Sequence, residues 1–495
     1  MNMNEEEKVI VKLTKQPLAS ERAEIRAQKQ KKILIVLLCL FFLAVGIGAG
    51  YGLSFIKKNK RYVSHSNNKF DELKDYLENV WLYNKDYEDL DQELEDKAFY
   101  GMTYFADDPY TTYMSADELE SFSSGINMNI VGIGVQYTDH GGIMQITRVF
   151  KNSAAEKAGL CVGDIFKKID DTEVEGLTSD ELKALVVGEA GTPVRITVLR
   201  GSELVEVLAY RASFDSTVFV EAEDDYLIMD LMSFGMNTSK ECIKYLDDYK
   251  DYHKIIVDLR GNTGGYETSV QKVAGLFMGD GVVFMKQTYN NGQTDEIRTV
   301  AEEYYDNFDK IVILIDENTA SAAEVFALAL SEWSDNVTLV GLTSFGKGVV
   351  QSTYSLKDGT VIKLTTSAWT SQNDTSIHKV GVKPDVEVRL ADIYYCSYTD
   401  MKDDESYVID SVSDKVRVSQ LALLALGHQI ERTDGYFDES FERSLNEFKL
   451  DNDLSADGVL DSHTYQTIIS CVSYALSVDE MMDTQMLKAK ELIRG

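Results

Sequence analysis

Apolar and polar residues follow several distinct patterns along this chain of 495 residues. The segment 33–56 has 24 residues and no charge, which is long enough to cross a bilayer as one helix, since about 20 residues suffice. Residues 57–116 combine Tyr, Leu and acidic residues at helical spacing. The segment 117–212 alternates short apolar strands with glycine turns and contains one main helix. These patterns predict a transmembrane helix, an N-terminal helical region and a small β-rich domain.

The second half of the chain has a different pattern. Apolar strands alternate with helical stretches across 213–400, which favours an α/β core with a largely parallel sheet. Within 410–472, the segments DGYFDESFERSLNEFK and DGVLDSHTYQTIIS each contain an Asp-Gly turn, an aspartate N-cap and a helix. Two such units are too few for a solenoid and indicate a small helical module. A C-terminal helix within 473–495 completes a multidomain α/β protein.

The uncharged run 33–56 has two interpretations. A cleavable signal peptide would have a shorter apolar region, of roughly 7–15 residues, and a small-residue cleavage site. This run is longer and GIGAGYGLS contains no A-x-A site, so we expect a retained single-pass anchor. Lysines and arginines flank both ends and nearly balance under the positive-inside rule. Because all the foldable sequence follows the span, we expect 1–32 to be a cytoplasmic tail and the bulk to be extracytoplasmic, at the cell membrane.

The charge and the cysteines exclude several functions. The net charge is −33, and the acidic excess lies beyond residue 61, because residues 1–61 hold 12 basic and 5 acidic residues. Such a surface repels nucleic acid, and no basic stripe is present. The five cysteines form no CxxC pair. We therefore expect free thiols, no metal site, no cofactor and no nucleic-acid partner.

The candidate nucleophile is Ser321, which follows the apolar run IVILI and begins the helical stretch SAAEVFALAL. A serine hydroxyl needs a base before it becomes a useful nucleophile. Ser321 and Glu324 also have the S-x-x-E spacing of a capping box, so a simple helix cap is the ordinary alternative. The two roles can coexist, because the unpaired N–H groups at a helix start can stabilise an oxyanion.

The candidate base is Lys347, which lies between two glycines in SFGKGVVQ, after the strand-like VTLVG. Burial in such a loop lowers a lysine pKa towards about 7–8, where the neutral amine can accept the serine proton. Gln351 would reach the amine if the loop formed a helical turn. Ser344, in GLTSFG, is a weaker rival nucleophile, since this segment has one residue too many for G-x-S-x-G.

The segment IIVDLRGNTGG, 255–265, is the third candidate element. A buried strand that runs into a glycine turn is a place where α/β folds present backbone donors to ligands. An ordinary strand-to-helix turn is the alternative. The chain contains neither GxGxxG nor a P-loop lysine here, so we exclude nucleotide binding.

An ordered set of segments resembles the carboxy-terminal processing peptidases, also called tail-specific proteases. The resemblance covers about residues 70–392 and rests on DPYTTYM, VGIGV, SAAEKAGLCVGDIF, VDLRGNTGG, ENTASAAE, GLTSFGKGVVQ, IKLTTSAW and GVKPDVEV. It implies a serine endopeptidase with a serine–lysine dyad and no metal. The implied core is the twisted β/α spiral related to the crotonase and Clp peptidase folds.

The same resemblance implies roles for individual residues. Ser321 would be the nucleophile, Lys347 the general base and Gln351 the residue that orients the lysine. Glu324 matches a helix carboxylate near the dyad. The oxyanion donors would be the backbone N–H of Ala322 and of one glycine of the pair 264–265, either Gly264 or Gly265.

Residues 117–212 resemble a PDZ domain. The loop of Gly132, Ile133, Gly134 and Val135 is similar to the one whose N–H groups bind a peptide's terminal carboxylate, which implies recognition of protein C-terminal tails by β-strand addition. The helix at 178–187 would form the other wall of the groove. Its candidate side-chain contacts are Leu182 and Val186.

Residues 410–472 resemble a three-helix peptidoglycan-binding module, through VSQLALLALGH, DGYFD and DGVLD. A fold-level likeness does not establish wall binding, so docking or dimerisation is an equal alternative. We therefore predict a membrane-anchored, PDZ-gated serine endopeptidase that processes extracytoplasmic or membrane proteins, with peptidoglycan and a ring-like homodimer as further associations. The competing hypothesis is a catalytically silent PDZ scaffold.

Overall fold

The computed structural model describes residues 68–495. The predicted tail 1–32 and transmembrane segment 33–56 lie outside this part of the chain. Within 68–495, no helix has both the length and the apolar character needed to cross a membrane. The described chain forms two units, 68–99 and 100–495.

The described part of the predicted N-terminal helical region, 68–116, is helical in two stretches. Its two helices are α1 (Lys69–Asn79) and α2 (Leu90–Thr103). A short strand, β1 (Thr112–Met114), and a third helix, α3 (Ala116–Ile126), come next. The sequence analysis missed α3, although Ser115 begins it with a capping box that Glu118 completes.

The β-rich domain has the predicted character of short strands and one main helix. Its chief sheet has the order β3-β4-β5-β7-β8, with β6 attached to β5, while β2 pairs with β9. A capping box of Thr178 and Glu181 begins its longer helix. The elements are β2 (Ile130–Gly132), β3 (Val135–Asp139), β4 (Met144–Val149), α4 (Ala154–Ala158), β5 (Ile165–Ile169), β6 (Thr172–Glu173), α5 (Ser179–Val186), β7 (Pro193–Arg200), β8 (Glu203–Tyr210) and β9 (Ala212–Phe214).

The α/β core is built on a six-stranded sheet and a second, antiparallel sheet. Its elements are β10 (Val218–Ala222), β11 (Leu227–Leu231), α6 (Thr238–Asp248), β12 (Lys254–Asp258), α7 (Glu267–Met278), β13 (Val283–Tyr289), β14 (Thr294–Arg298), β15 (Lys310–Ile315), α8 (Ala322–Trp333), β16 (Val337–Gly341), β17 (Val349–Ser355), β18 (Val361–Ser371) and β19 (Val386–Glu387). The first sheet has the order β10-β11-β12-β15-β16-β19 and is parallel except for the β10–β11 pair. The predicted largely parallel sheet is therefore confirmed. The second sheet, β1-β18-β13-β14 with β17 beside β18, was not predicted.

The remaining elements form the C-terminal module and the last helix. They are β20 (Ser406–Tyr407), α9 (Asp414–Ala425), α10 (Glu439–Asp451), β21 (Leu460–Asp461), α11 (Ser462–Val478) and α12 (Thr484–Arg494). The module packs on the sheet of the β-rich domain, because Ile165 and Leu199 of that sheet, and Ile143 just before β4, are buried in the same apolar cluster as residues of α9 to α11. The predicted three-helix module is present and is docked on the neighbouring domain.

Both faces of the parallel sheet are covered, which explains the continuous apolar strands in the sequence. Ile255 and Val257 of β12 lie in a cluster with residues of α6, α7 and α8. The intervening Ile256 lies in a separate cluster with Ala489 and Ile493 of α12. The C-terminal helix therefore supplies the second layer of the α/β core.

Candidate active site

Ser321 lies in the turn between β15 and α8, with φ 57° and ψ −120°. A positive φ is rare for a residue that carries a Cβ, and such strain costs on the order of 1–3 kcal/mol and concentrates at functional sites. Ser321 is half-buried, and the residues on either side of it are buried. The strained strand-to-helix turn therefore holds this hydroxyl at the start of α8, next to the unpaired N–H groups of the helix.

Glu324 ties the serine turn to the lysine loop. This side chain is fully buried, and Oε2 accepts hydrogen bonds of 2.8 Å from the backbone N–H of Ser321 and of Lys347. Its Oε1 accepts from Ser344 Oγ at 2.5 Å and from the N–H of Gly346 at 2.6 Å. A buried carboxylate needs such compensation. Glu324 therefore fixes the backbone of both candidate catalytic residues.

Lys347 occupies the loop between β16 and β17, where other side chains surround it. Its Nζ lies 4.6 Å from the centroid of the Tyr110 ring, and its carbonyl accepts a 2.9 Å hydrogen bond from Trp369 Nε1. Burial lowers the pKa of Lys347 to about 8; the charge of Lys363 acts in the same direction and that of Glu324 opposes it. About a tenth of the amine is therefore neutral at pH 7, and about half at pH 8.

No hydrogen bond joins Lys347 Nζ to Ser321 Oγ among the interactions of residues 68–495. The amine rests instead against the Tyr110 ring, which attracts the protonated form through a cation–π contact. Catalytic hydrogen bonds are often long in free enzymes and shorten when substrate binds. In this conformation the amine of Lys347 therefore contacts the Tyr110 ring and is not hydrogen-bonded to the candidate nucleophile.

The glycine loop 259–265 packs directly against the nucleophile. A Cβ on Gly264 would lie 2.9 Å from Ser321 Cβ and 2.9 Å from the nitrogen of Ala322, closer than side chains pack. The N–H of Gly264 donates to Asn262 Oδ1 at 2.8 Å. In the described chain, the N–H groups of Gly265 and Ala322 have no such partner. Of Gly264 and Gly265, it is therefore Gly265 whose N–H group, like that of Ala322, has no hydrogen-bond partner in the described chain.

Gln351 does not lie on a helical turn, so this part of the prediction is wrong. It belongs to β17, where a β-bulge falls between Val350 and Gln351. Its Nε2 is buried and has no hydrogen-bond partner among the described residues. An unpaired buried amide is costly. This donor is therefore available to a group that enters the site.

The rival nucleophile Ser344 has a structural role. Its hydroxyl is buried, donates to Glu324 Oε1 and accepts a 2.7 Å hydrogen bond from the N–H of Val382. These two bonds hold the lysine loop against α8 and the segment that precedes β19. Its hydroxyl therefore faces the protein interior.

The predicted tail-binding loop lies next to the edge strand β3, which comes first in its sheet. The carbonyls of Ile133 and Gly134 accept hydrogen bonds from Ala155 and Phe150, and Gly132 packs near Val186. Val135 begins β3 itself.

The helix residues predicted to contact a bound tail are placed differently. Leu182 and Val186 have 0% and 5% of their surface exposed and pack in the core of their own domain. They offer almost no surface to a ligand in this conformation. Because α5 turns this side inwards, their contact with a bound tail stays a prediction.

Sequence reasoning missed three side chains around the lysine: Tyr110, Lys363 and Trp369. All three lie in segments already singled out for their resemblance: Tyr110 in DPYTTYM, and Lys363 and Trp369 in IKLTTSAW. An aromatic ring or a lysine in a β-strand has no spacing rule that identifies its partner. The antiparallel pairing of β1 with β18 brings these two segments together, and the pairing of β17 with β18 places them beside the lysine loop.

Comparison with known proteins identifies three segments of the chain. Peptidase family S41 matches residues 225–388, a PDZ domain matches 145–200 and a putative peptidoglycan binding domain matches 412–468. The carboxy-terminal processing protease CtpA of Bacillus subtilis (strain 168) is 33% identical over 442 residues, which cover 88% of this chain and 92% of that protein. A probable CtpA-like serine protease of Staphylococcus haemolyticus (strain JCSC1435) is 30% identical over 403 residues, 80% of each chain. The solved photosystem II D1 C-terminal processing protease is 23% identical, with a TM-score of 0.41, and the match covers 63% of this chain and 88% of that one.

The fold and these similarities define a serine-type peptidase that carries a PDZ domain and a peptidoglycan-binding domain. The two curated relatives, which match this chain over most of their length, narrow this class to one family. The chain belongs to peptidase family S41, and its relatives there are carboxy-terminal processing proteases.

Proposed function

We propose that this protein is a membrane-anchored endopeptidase that cleaves other proteins with Ser321 as nucleophile and Lys347 as general base. The single observation that carries the proposal is the arrangement around Glu324. One buried carboxylate holds the backbone of both residues, with Ser321 in a strained turn and the pKa of Lys347 lowered to about 8. A serine without a nearby base would be inert.

The reaction follows from these groups. The neutral amine of Lys347 takes the proton of the Ser321 hydroxyl while the serine oxygen attacks the scissile carbonyl carbon. The N–H groups of Ala322 and Gly265 stabilise the oxyanion of the tetrahedral intermediate. Lys347 then protonates the leaving amine, and an acyl-enzyme remains. Water, deprotonated by the same amine, releases the acyl group and restores the serine.

The orientation of the amine is the role proposed for Gln351. Its Nε2 is a buried donor without a partner in the described chain, and its carbonyl oxygen can accept a hydrogen bond from the lysine. An amide orients the amine without adding a charge, whereas a carboxylate would raise the lysine pKa.

Substrate selection is the role proposed for the PDZ domain. An extended C-terminal tail would add to the edge strand β3 as a further strand, and the loop 132–135 would bind its carboxylate. Tyr137 of β3 already donates a 2.7 Å hydrogen bond to the carbonyl of Ser179 at the start of α5. Since Leu182 and Val186 are buried, side-chain selectivity requires α5 to move away from β3.

The cellular setting is also part of the proposal. Residues 33–56 would anchor the protein at the cell membrane, with the catalytic domain outside the cytoplasm. The C-terminal module would bind peptidoglycan or support a homodimer. Envelope and membrane proteins are the substrates that such a location makes accessible.

Digestion of casein by the purified full-length chain tests the proposal, with Ser321→Ala and Lys347→Ala as comparison variants. We expect cleavage by the wild type and loss of at least about a thousandfold in each variant, as for other removed catalytic groups. Equal digestion by all three would remove the dyad assignment. No digestion by the wild type, with or without a peptide that ends in a free carboxylate, would favour the scaffold hypothesis.

A further inference from the structure

Arg260 lies in the glycine loop, and all five of its guanidinium donors are engaged. Nε and Nη2 donate to the carboxylate of Asp258, with Nη2 to Oδ2 at 2.7 Å. Nη1 and Nη2 donate to Asp483 Oδ1 and Oδ2 at 2.8 and 2.9 Å, and Nη1 also donates to Gln485 Oε1 at 3.2 Å. The guanidinium therefore joins the end of β12 to the start of α12.

The loop that follows Arg260 leads directly to the candidate oxyanion donor. Asn262, two residues on, accepts from the N–H of Gly264 with its side chain and from the N–H of Ala320 with its carbonyl. Its own Nδ2 donates to the carbonyl of Leu231 at 2.7 Å. Because each of these bonds is short and buried, a shift of the Arg260 end of the loop is transmitted to Gly265 and to the serine turn.

Asp483, which binds the guanidinium of Arg260, is itself held firmly at the start of α12. Asp483 is the N-cap of α12 and accepts from the N–H of Met486 at 3.0 Å. Gln485 is 1% exposed and donates to the carbonyl of Val388 at 2.9 Å. Ala489 and Ile493 are fully buried against the parallel sheet. The carboxylate of Asp483 is therefore held in place by packing that does not depend on Arg260.

We propose that Asp483 and Gln485 are positioning residues for catalysis, which act through Arg260 to hold the loop 259–265 in the geometry that stabilises the oxyanion. The inference rests on the proposed function. Both residues lie outside the three segments matched by known families, which end at residue 468. The C-terminal helix thereby completes a site whose reacting groups all come from the family core.

The expected effect is on turnover rather than on substrate binding. A donor that is displaced from the developing oxyanion loses stabilisation only in the transition state, so kcat falls and KM stays nearly constant. Loss of one oxyanion donor outright costs about 10²–10³ in kcat. Because Asp258 still holds Arg260, we expect Asp483→Asn to lower kcat by about tenfold to a hundredfold, and the asparagine preserves the helix cap.

The matched control is Glu480→Gln, which removes a carboxylate that pairs with Lys490 of α12 at 3.2 Å and does not contact Arg260. Both variants are made in the full-length chain and assayed on one peptide substrate, with unfolding temperatures measured alongside. We expect kcat of the control to match the wild type. Wild-type kcat in Asp483→Asn would overturn the inference.

A double-mutant cycle separates positioning through Arg260 from a general loss of packing. In an Arg260→Gln background, Asp483→Asn should lower kcat by less than twofold, because the connection is already broken. If Asp483→Asn lowered kcat by the same factor in the Arg260→Gln background as in the wild type, the inference would be overturned. If Asp483→Asn fails to fold, Asp483→Glu takes its place in the cycle.

Hydrogen exchange keeps this test independent of the proposed function. Amide exchange in the peptide 259–266 should be faster in Asp483→Asn than in the wild type and unchanged in Glu480→Gln. Unchanged exchange in Asp483→Asn would contradict the connection even if activity fell. If the wild type shows no Ser321-dependent cleavage while amide exchange responds as expected, the proposed function is wrong. The coupling of Asp483 to the loop 259–265 through Arg260 is then still supported.

Discussion

The backbone N–H of Lys347 donates a 2.8 Å hydrogen bond to Oε2 of Glu324. That oxygen also binds the N–H of Ser321, so the two proposed catalytic residues share one carboxylate oxygen as their backbone anchor. Glu324 sits one turn into α8, and the helix that begins at the nucleophile therefore also sets the position of the base. The distance between the Ser321 hydroxyl and the Lys347 amine therefore depends on the backbone as well as on side-chain rotamers.

Replacement of Glu324 by Gln should strongly reduce activity. The amide offers one acceptor oxygen in place of two, so at least one loop loses its anchor and a buried donor is left unpaired. Because displacement of about 1 Å at a site can cost 10²-fold in rate, we expect kcat to fall by at least about 10²-fold on a peptide substrate.

Glu332→Gln is the matched control for Glu324→Gln. Glu332 lies on the same helix and accepts hydrogen bonds from Ser371 and Thr375, away from the lysine loop. We expect kcat within about twofold of the wild type, since the hydrogen bonds of Glu332 hold neither the serine turn nor the lysine loop. Equal losses in both variants would show that Glu324 contributes only to folding.

The strand-and-helix order of the core was predictable because its physical cause is local. Buried parallel strands must be continuously apolar, and β12 and β15 are. The second sheet was not predictable, since β1 and β18 pair across more than 240 residues and neither strand is a continuous apolar run. Pairing at that distance depends on the whole fold, and no short-range pattern encodes it.

Parts of the site were predictable for the same reason. Ser321 and Glu324 lie at the start of one helix, where the S-x-x-E spacing alone predicts a capping box. One half of that capping box, the hydrogen bond from the Ser321 N–H to the Glu324 side chain, is present. Gln351 was misplaced because a spacing of four residues implies contact only on a helix, and this segment is a strand. Asp483 lies 223 residues from Arg260, and no local rule relates two such positions.

Activity should rise with pH, because the proposed base, Lys347, can accept a proton only when its amine is neutral. With a pKa of about 8, the neutral fraction increases about tenfold per pH unit well below 8 and levels off above it. A kcat/KM profile from pH 6 to 9 tests this directly. A flat profile over that interval would count against a lysine base.

Lys363→Gln should move the ascending limb of this profile to higher pH. The charge of Lys363 is one cause of the lowered pKa of Lys347, so its removal lets that pKa rise and reduces activity at pH 7. The control is Lys357→Gln, an exposed lysine in the turn between β17 and β18, which should leave the midpoint unchanged. A downward shift in Lys363→Gln would contradict the assignment of Lys347 as the titrating group.

Trp369→Phe should reduce kcat with only a small loss of stability. The substitution keeps an aromatic ring and removes the N–H that donates to the carbonyl of Lys347 at 2.9 Å. One such bond contributes about 1 kcal/mol to stability, but its loss frees the loop that carries the base. Trp333→Phe is the control, since Trp333 is 49% exposed at the far end of α8. A lower unfolding temperature with unchanged kcat would show that the Trp369 bond is purely structural.

Gly264→Ala should abolish activity, whereas Gly261→Ala should not. Both glycines have positive φ, 104° and 71°, so each alanine carries a backbone strain of about 1–2 kcal/mol. Only at Gly264 is there also a clash, because its Cβ would lie 2.8 Å from the carbonyl oxygen of Ala320 and 2.9 Å from Ser321 Cβ; at Gly261 nothing lies within 4 Å. Relief of the clash must move the glycine loop away from the serine turn, and displacement of this kind costs about 10²-fold or more in rate. Measured kcat values that fall equally in the two variants would mean that strain, and not the close approach to Ser321, explains the glycine.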